Sequence, residues 1–248
     1  MHETVLGVAL HAEKRIFRGT NTRQLARALS GTRLVRSETR GKRMLFRFSG
    51  DNWLGLHLGM TGKMWTAAAA YVAEKHDHLV LSQAKRTLVF RDARQFGRVQ
   101  FHHGKNAPRW WGEDDPPEIV SSGFTRAFFD RFLVRHAKAP IKAVLLMQSG
   151  FSGIGNWMAD EILWRAKVRP THRAGKLTAS QRALIYRATR FVAREALRII
   201  GRDFSDPPSG WLLNVRWACG GKCPRDGTTL KRATVGGRTT AWCARCQR

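Results

Sequence analysis

The four cysteines of this chain, Cys219, Cys223, Cys243 and Cys246, all fall near its carboxyl end. Three residues separate the first pair, nineteen lie between the pairs, and two separate the second pair. Two close pairs divided by a hairpin's worth of chain put four thiolates within tetrahedral reach of one zinc ion. A segment as short as 211–248 has too little apolar mass to fold without such a staple. The scattered disulfides of a secreted fold would not cluster in this way. With thiolates at all four corners no position stays open for water, so the ion is expected to be structural. Between the pairs, "LKRATVGGRTTAW" reads as strand, Gly-Gly turn, strand. That places Arg238 at the hairpin tip, where a guanidinium either grips a phosphate through two donors or is simply solvated.

The rest of the chain must fold around an extreme charge. Lys and Arg number 44 against 18 Asp and Glu in 248 residues, a formal net charge of +26. These cations are interleaved with Leu, Val, Trp and Phe in folding patterns, so the charge sits on a folded surface and not on a loose tail. Nucleic acid is the expected partner, because phosphate neutralisation releases counterions; an anionic membrane is the rival. No window approaches the roughly 20 apolar residues of a membrane span, and "MHETVLG" lacks the layout of a secretory signal. A cytoplasmic protein, associated with the nucleoid through DNA, is therefore expected.

Residues 1–105 read as a β-rich domain, with strands at "VLGVAL", "RLVRSE", "RMLFRF", "WLGLHL", "HLVLS" and "TLVFR". One helix interrupts them at "NTRQLARALSG", capped by Asn or Thr, with Leu25 and Leu29 on one face and Gly31 as its stop. Residues 106–122 are rich in Pro, Gly and acid and read as an interdomain linker. From 123 to 206 the period turns helical, in "TRAFFDRFLVRH", "IKAVLLMQ", "NWMADEILWRAK" and "ASQRALIYRATRFVAREALRII". The tail, 211–248, holds every Cys.

Three further features point to a polyanion. In "SGFSGIGNWMADEIL", Gly150, Gly153 and Gly155 stand just ahead of a helix beginning near Asn156; its free N–H groups suit a phosphate, although glycines also serve plain helix connections. In "GLHLGMTGKM" a Gly-flanked turn presents Met60, and "RDARQFGRV" presents Arg94 and Phe96. Side chains of this kind at loop tips either act as wedges entering a base stack or belong to the core.

Taken in order, "HLGMTGKM", "EKHDH", "RDARQFG", "IKAVLLMQSGFSGIGNWMADEILWRAKVRP" and "GGRTTAWCARCQR" resemble the formamidopyrimidine-DNA glycosylase and endonuclease VIII family over nearly the whole chain. The resemblance implies an α+β multidomain protein: an N-terminal β-sandwich, a helix–two-turn–helix domain and a zinc-finger hairpin. It implies a monomeric base-excision-repair enzyme that bends duplex DNA, flips out an oxidised base, cleaves its glycosidic bond and cuts the strand by β,δ-elimination. It also implies roles residue by residue. Met60, Arg94 and Phe96 would fill the hole left by the flipped nucleotide. His76, Lys138 or Lys142, Asn156 and Arg238 would clamp phosphates around the lesion. Lys42 would donate a proton in elimination, and Arg238 would serve the δ step.

The chain departs from the family pattern in three places. The first Cys pair encloses three residues where the family has two, which tetrahedral zinc tolerates. The stretch from "RDF" to Cys219 is shorter than in members with a long lid over 8-oxoguanine, so preference for that base is not implied. The family nucleophile is a proline at position 2 beside a glutamate, whereas here position 2 is His2 and the surroundings of Glu3 resemble the strand after the family's first helix. Glu3 is therefore not carried over as catalytic, and the printed start is expected to lie downstream of the nucleophile segment. As printed, Met1 would keep a primary α-amine with a pKa of about 7.7 to 8.0, and that amine or Lys42 is suited to an imine with an abasic sugar. Two other readings stand beside the enzyme: a protein that binds damaged or bent DNA without excision, and a zinc-ribbon RNA-binding protein.

Overall fold

The computed structural model of the chain describes every residue except 1, 2, 12, 60, 113, 114 and 204–206. Two compact units emerge, Met1–Asp114 and Asp115–Arg248.

Among the described residues of the first unit, eight strands form two antiparallel sheets. These are β1 (Val5–Leu10), β2 (Leu34–Arg40), β3 (Arg43–Phe48), β4 (Asn52–His57), β5 (Lys63–Ala68), β6 (Asp77–Gln83), β7 (Arg86–Arg91) and β8 (Arg98–His103). The strand orders are β1-β6-β7-β5 and β2-β3-β4-β8, and the sheets pack face to face as a sandwich. Alternate residues explain it: Leu79 and Leu81 of β6 and Phe90 of β7 turn inward to meet Phe46, Phe48, Leu54 and Leu56 from the other sheet. Helix α1 (Thr22–Leu29) adds Leu25 and Leu29 to the same core, and its cap is as expected, the Asn21 side chain accepting from Gln24 N–H at 3.0 Å. Gly31 follows with φ +78°. Strands β5 and β8 were not anticipated. The first is an edge strand, exposed at Lys63, Thr66 and Ala68 and nowhere fully buried, so "KMWTAA" never shows the apolar alternation of a buried strand.

The stretch read as a linker is only partly one. Trp110 and Trp111 pack on the outer face of the β2-β3-β4-β8 sheet, against Leu45 and Trp53. Arg40 and Arg43 stack over the Trp111 ring at 5.2 and 5.5 Å, and Arg43 Nη1 donates to the Trp110 carbonyl at 2.9 Å. A Cβ on Gly55 of β4 would run into the Trp110 ring, which is why a glycine interrupts an otherwise bulky strand. The β unit therefore runs past residue 105, because two tryptophans hidden among Pro, Gly and acid bring the chain back to the sheet.

The second unit holds helices α2 (Arg126–Arg135), α3 (Ile141–Leu145), α4 (Asn156–Arg165) and α5 (Ala179–Asp203), then the hairpin β9 (Lys231–Val235) and β10 (Arg238–Trp242). Phe124, Phe129, Phe132 and Phe151 meet largely edge to face in its core. The hairpin is no separate domain. Trp164 of α4 lies in one apolar cluster with Leu212, Cys223, Leu230, Ala241 and Cys243, and Gln247 Nε2 donates to the Val168 carbonyl at 2.9 Å. A tail too small to own a core borrows one from the helices. Among the described residues, no helix is long and apolar enough to cross a membrane.

Acid sensitivity of the first unit centres on Asp77. Its carboxylate accepts Arg91 Nε at 2.6 Å, the Tyr71 hydroxyl at 2.7 Å and the Glu74 N–H at 2.8 Å. Burial pushes the carboxyl up, but the hydrogen bonds from Arg91, Glu74 and Tyr71 outweigh it and hold the pKa at about 2. A carboxyl held below its unfolded value adds stability above that value and loses it as the pH falls through the folded one. The urea-unfolding gap between wild type and Asp77→Asn should thus be widest near neutral pH and close between about pH 4 and pH 2. A gap independent of pH would remove Asp77 from this role.

Candidate nucleic-acid interface and metal centre

In the first unit the candidate loops are built on a buried carboxylate. Asp92, fully buried at the end of β7, accepts the Gly97 N–H at 2.7 Å on Oδ2 and the Thr61 hydroxyl at 3.0 Å on Oδ1. It thereby fastens the 92–97 loop to the 58–62 turn. Between these anchors Gln95 adopts φ +54°, a conformation rare for a residue with a side chain. Phe96 is turned outward, 42% exposed, with the Arg94 guanidinium stacked 4.7 Å from its ring. Gly59, at φ +67°, lies so close to the Phe96 and Gly97 backbone that a Cβ there would collide with it. Met60 lies outside the described residues; its neighbours form the turn that abuts Phe96.

His76 is half-buried at the same end of the sheet, its carbonyl accepting the Asp92 N–H at 3.1 Å. Behind it His78 is buried, its Nε2 3.0 Å from the Asp92 carbonyl and its Nδ1 3.2 Å from Nδ1 of His11. Burial pushes the His78 pKa down, more than its bond to the Asp92 carbonyl restores it. Lys42 is exposed in the two-residue turn Gly41-Lys42 that joins β2 to β3. Glu3 is elsewhere: its carboxylate accepts the Lys85 N–H at 3.2 Å, beyond the Gln83 end of β6. His76 precedes the opposite end of that strand, about 20 Å away at the usual rise per residue.

In the second unit the expected start of α4 at Asn156 is correct, and Gly155 stands as its cap without a side-chain bond. The Asn156 amide donates to the Thr239 carbonyl at 2.8 Å, so the helix start and the hairpin carrying Arg238 are physically joined. Gly236 and Gly237, at φ +60° and +71°, form the two-residue turn, and Arg238, exposed, pairs with Val235 directly after it. Lys138 is exposed between α2 and α3.

Lys142 is a correction to the sequence-based expectation. Its side chain is fully buried, ion-paired with Asp160 and donating to the Asn156 carbonyl at 2.9 Å. Burial pulls its pKa down to about 8 against the pull of Asp160, so the ammonium stays charged at neutral pH. No surface of Lys142 is left for a phosphate. It is a strut beneath Asn156. Asp160 also takes Arg216 Nε at 3.0 Å, Arg216 Nη2 at 2.5 Å and the Ala241 N–H at 3.3 Å. Trp217, 60% exposed, lies over the Arg216 guanidinium at 4.0 Å and escaped notice in the sequence because it falls in a stretch without period.

At the expected metal centre the fold gathers a donor group that differs from the four cysteines by one member. Cys219 is exposed and stands apart. The donor group comprises Cys223, Asp226, Cys243 and Cys246, whose ligand atoms all lie within 4.8 Å of one another, the only such group among the described residues. Cys223 and Cys246 sulfurs are 4.0 Å apart, and Asp226 approaches Cys246 at 3.0 Å and Cys243 at 3.5 Å. Three thiols and a carboxylate at these separations suit one tetrahedral zinc ion, with no open corner for water. The tail's pairing by nearest cysteines missed a shorter regularity: Cys223 to Asp226 and Cys243 to Cys246 each enclose two residues.

A family model for the formamidopyrimidine-DNA glycosylase N-terminal domain matches residues 1–99. Others match the H2TH domain of that glycosylase at 116–206 and the zinc finger found in FPG and IleRS at 220–248. The chain belongs to the formamidopyrimidine-DNA glycosylase family. It is 32% identical to formamidopyrimidine-DNA glycosylase of Exiguobacterium sibiricum over 263 residues, covering 100% of this chain and 94% of that one. With the Halorhodospira halophila protein of the same name the identity is 33% over 229 residues, 89% of this chain and 84% of the relative. Among solved structures, Lactococcus lactis Fpg in complex with FAPY-dG-containing DNA superposes with a TM-score of 0.89 at 28% identity, covering 100% of this chain and 93% of that one. The same protein with abasic-site DNA gives the same figures. The match to that finger begins at residue 220, directly after Cys219.

The Asp160 cluster ties the start of α4 to the Arg238 hairpin within the second unit. Asp160→Asn would strand two buried cations and should cost about 3–5 kcal/mol in chemical denaturation. A loss under about 1 kcal/mol would show that the cluster is not the tie described.

Proposed function

We propose that this protein acts in DNA base-excision repair inside the cell, as a monomer: it binds duplex DNA at oxidised bases and abasic sites, removes the damaged base and cuts the strand by β,δ-elimination. The observation that carries this reading is the 92–97 loop. A large apolar ring, backed by a guanidinium and locked on buried Asp92, is held outward in a chain of charge +26. Exposing Phe96 to water has no benefit for folding, but a rigid wedge fills the gap left by an extruded nucleotide, where unstacking costs a few kcal/mol. A flexible loop would have to be ordered on binding; this one is ordered beforehand.

In this reading Phe96 enters the stack, Met60 fills beside it, and Arg94 faces the orphaned base. His76 holds a lesion-flanking phosphate from the first unit. In the second unit Asn156, Lys138 and Arg238 do the same, with Lys142 acting only through the position of Asn156. Zinc, when bound, supplies structural cross-linking of the hairpin and no reaction chemistry. Lys42, exposed on a tight turn, is placed to donate a proton during elimination, and Arg238 to neutralise the phosphate that leaves in the δ step. The amine that attacks the sugar C1′ is assigned to none of the described residues, and Glu3 lies beyond the end of β6 opposite His76. The L. lactis complexes with FAPY-dG and abasic-site DNA support the substrate class.

Borohydride trapping on duplexes bearing an oxidised base or an abasic site tests the enzyme directly. A covalent adduct with both is expected. An adduct with the abasic duplex alone would restrict the activity to strand cleavage, and none with either would leave a damage-binding protein. Arg94→Ala should weaken binding to a lesion duplex by about tenfold or more, the loss of roughly 1–3 kcal/mol of a base contact, with a smaller effect on undamaged duplex. Equal losses would reduce Arg94 to a phosphate contact.

A further inference from the structure

We propose that the finger of this protein holds its metal through three thiolates and one carboxylate, with Asp226 as the fourth ligand, and that Cys219 remains a reactive surface thiol while the metal is bound.

Two structural repeats carry the assignment. In the first, Cys223 and Asp226 stand three positions apart and the Gly227 N–H donates to the Cys223 carbonyl at 2.9 Å. In the second, Cys243 and Cys246 stand three positions apart and the Gln247 N–H donates to the Cys243 carbonyl at 3.0 Å. The two turns close with the same backbone bond four residues on, so each presents its first and fourth side chains to one point. Asp226 occupies in one turn the place that Cys246 occupies in the other. Cys219 belongs to neither turn: it precedes Gly220, at φ +77°, and its exposed side chain is separated from Cys223 by a Gly-Gly-Lys bend.

The surroundings fit ligands and not spectators. The Thr228 N–H fixes Asp226 Oδ1 at 3.0 Å, leaving the other carboxylate oxygen toward the sulfurs, with Oδ2 3.0 Å from Cys246 Sγ. The Trp164 indole N–H donates to Cys223 Sγ at 3.3 Å, and the Cys246 N–H donates to Cys243 Sγ at 3.4 Å. Hydrogen bonds onto sulfur and onto the non-ligating oxygen are the outer support that orients metal ligands. Three sulfurs and an oxygen form a harder donor set than four sulfurs, so zinc is retained while thiophilic ions lose part of their preference.

Two consequences follow for Cys219. Oxidation or alkylation there leaves all four metal ligands untouched, so the finger keeps its ion. Substitution there is likewise silent for metal content.

The decisive measurement counts thiols in the zinc-loaded full chain with an aromatic disulfide reagent, followed by mass mapping. One fast-reacting thiol, at Cys219, is expected, rising to four after chelation of the zinc. Cys219→Ser should keep one zinc per chain and lose the fast thiol. Asp226→Ala should lose zinc, and Asp226→Cys should restore it, with stronger thiolate-to-cobalt absorption than wild type after cobalt substitution. Protection of Cys219 in the zinc-loaded protein, or loss of zinc in Cys219→Ser with retention in Asp226→Ala, would overturn the assignment. Because the count is made on wild type, misfolding of a variant cannot produce the expected result.

Discussion

One buried carboxylate organises the second unit. Asp160 lies on α4, and on it converge Lys142 from α3, Arg216 from the segment ahead of the finger, and the backbone N–H of Ala241 in β10. Each partner is out of water, so the attraction is poorly screened and a missing partner leaves an uncompensated charge. Four pieces of chain that are remote in sequence are thus held in one geometry. Asn156 and the Arg238 hairpin owe their adjacency to it: Lys142 braces the Asn156 carbonyl, and both Asn156 and Arg216 donate to the Thr239 carbonyl.

The first unit uses the same device on a smaller scale. Asp92 is buried beneath two loops and supplies acceptors to the backbone of one and a hydroxyl of the other. Asp77 does so for Arg91, Tyr71 and Glu74. In a chain with 44 cationic and 18 acidic side chains, the acids are scarce, and several of those few are spent inside. The surface is left strongly positive as a result, and the exposed 92–97 loop is held in place by an anion that faces inward. Structure and electrostatics are settled by the same residues.

Much of this was legible beforehand. Six of the eight sandwich strands and α1 follow from apolar alternation and capping, since residues that line a core recur with the period of their element. The start of α4 follows from glycines before Asn156, and the hairpin from Gly236-Gly237. Strand β5 was not legible, because it is nowhere fully buried and its exposed residues, Lys63, Thr66 and Ala68, follow no strand period. Trp110 and Trp111 were not, because their partners lie some sixty residues earlier. Lys142 looked like a single surface cation on an apolar helix until its burial against Asp160 was seen, and Asp226 looked like a turn residue until three sulfurs were found around it.

By itself the sequence determined the classes of element, the polyanionic partner and the presence of one metal staple, all of which depend on composition and on spacing along the chain. Tertiary structure decided which of the candidate residues face outward. Arg94, Phe96, Lys138 and Arg238 do; Lys142 does not; and the donor atoms gathered in the finger are those of Cys223, Asp226, Cys243 and Cys246, with Cys219 exposed. The physical reason is that burial and ligation depend on distances through space, and residues such as Lys142 and Asp160, or Asp226 and Cys246, become neighbours only when the fold closes.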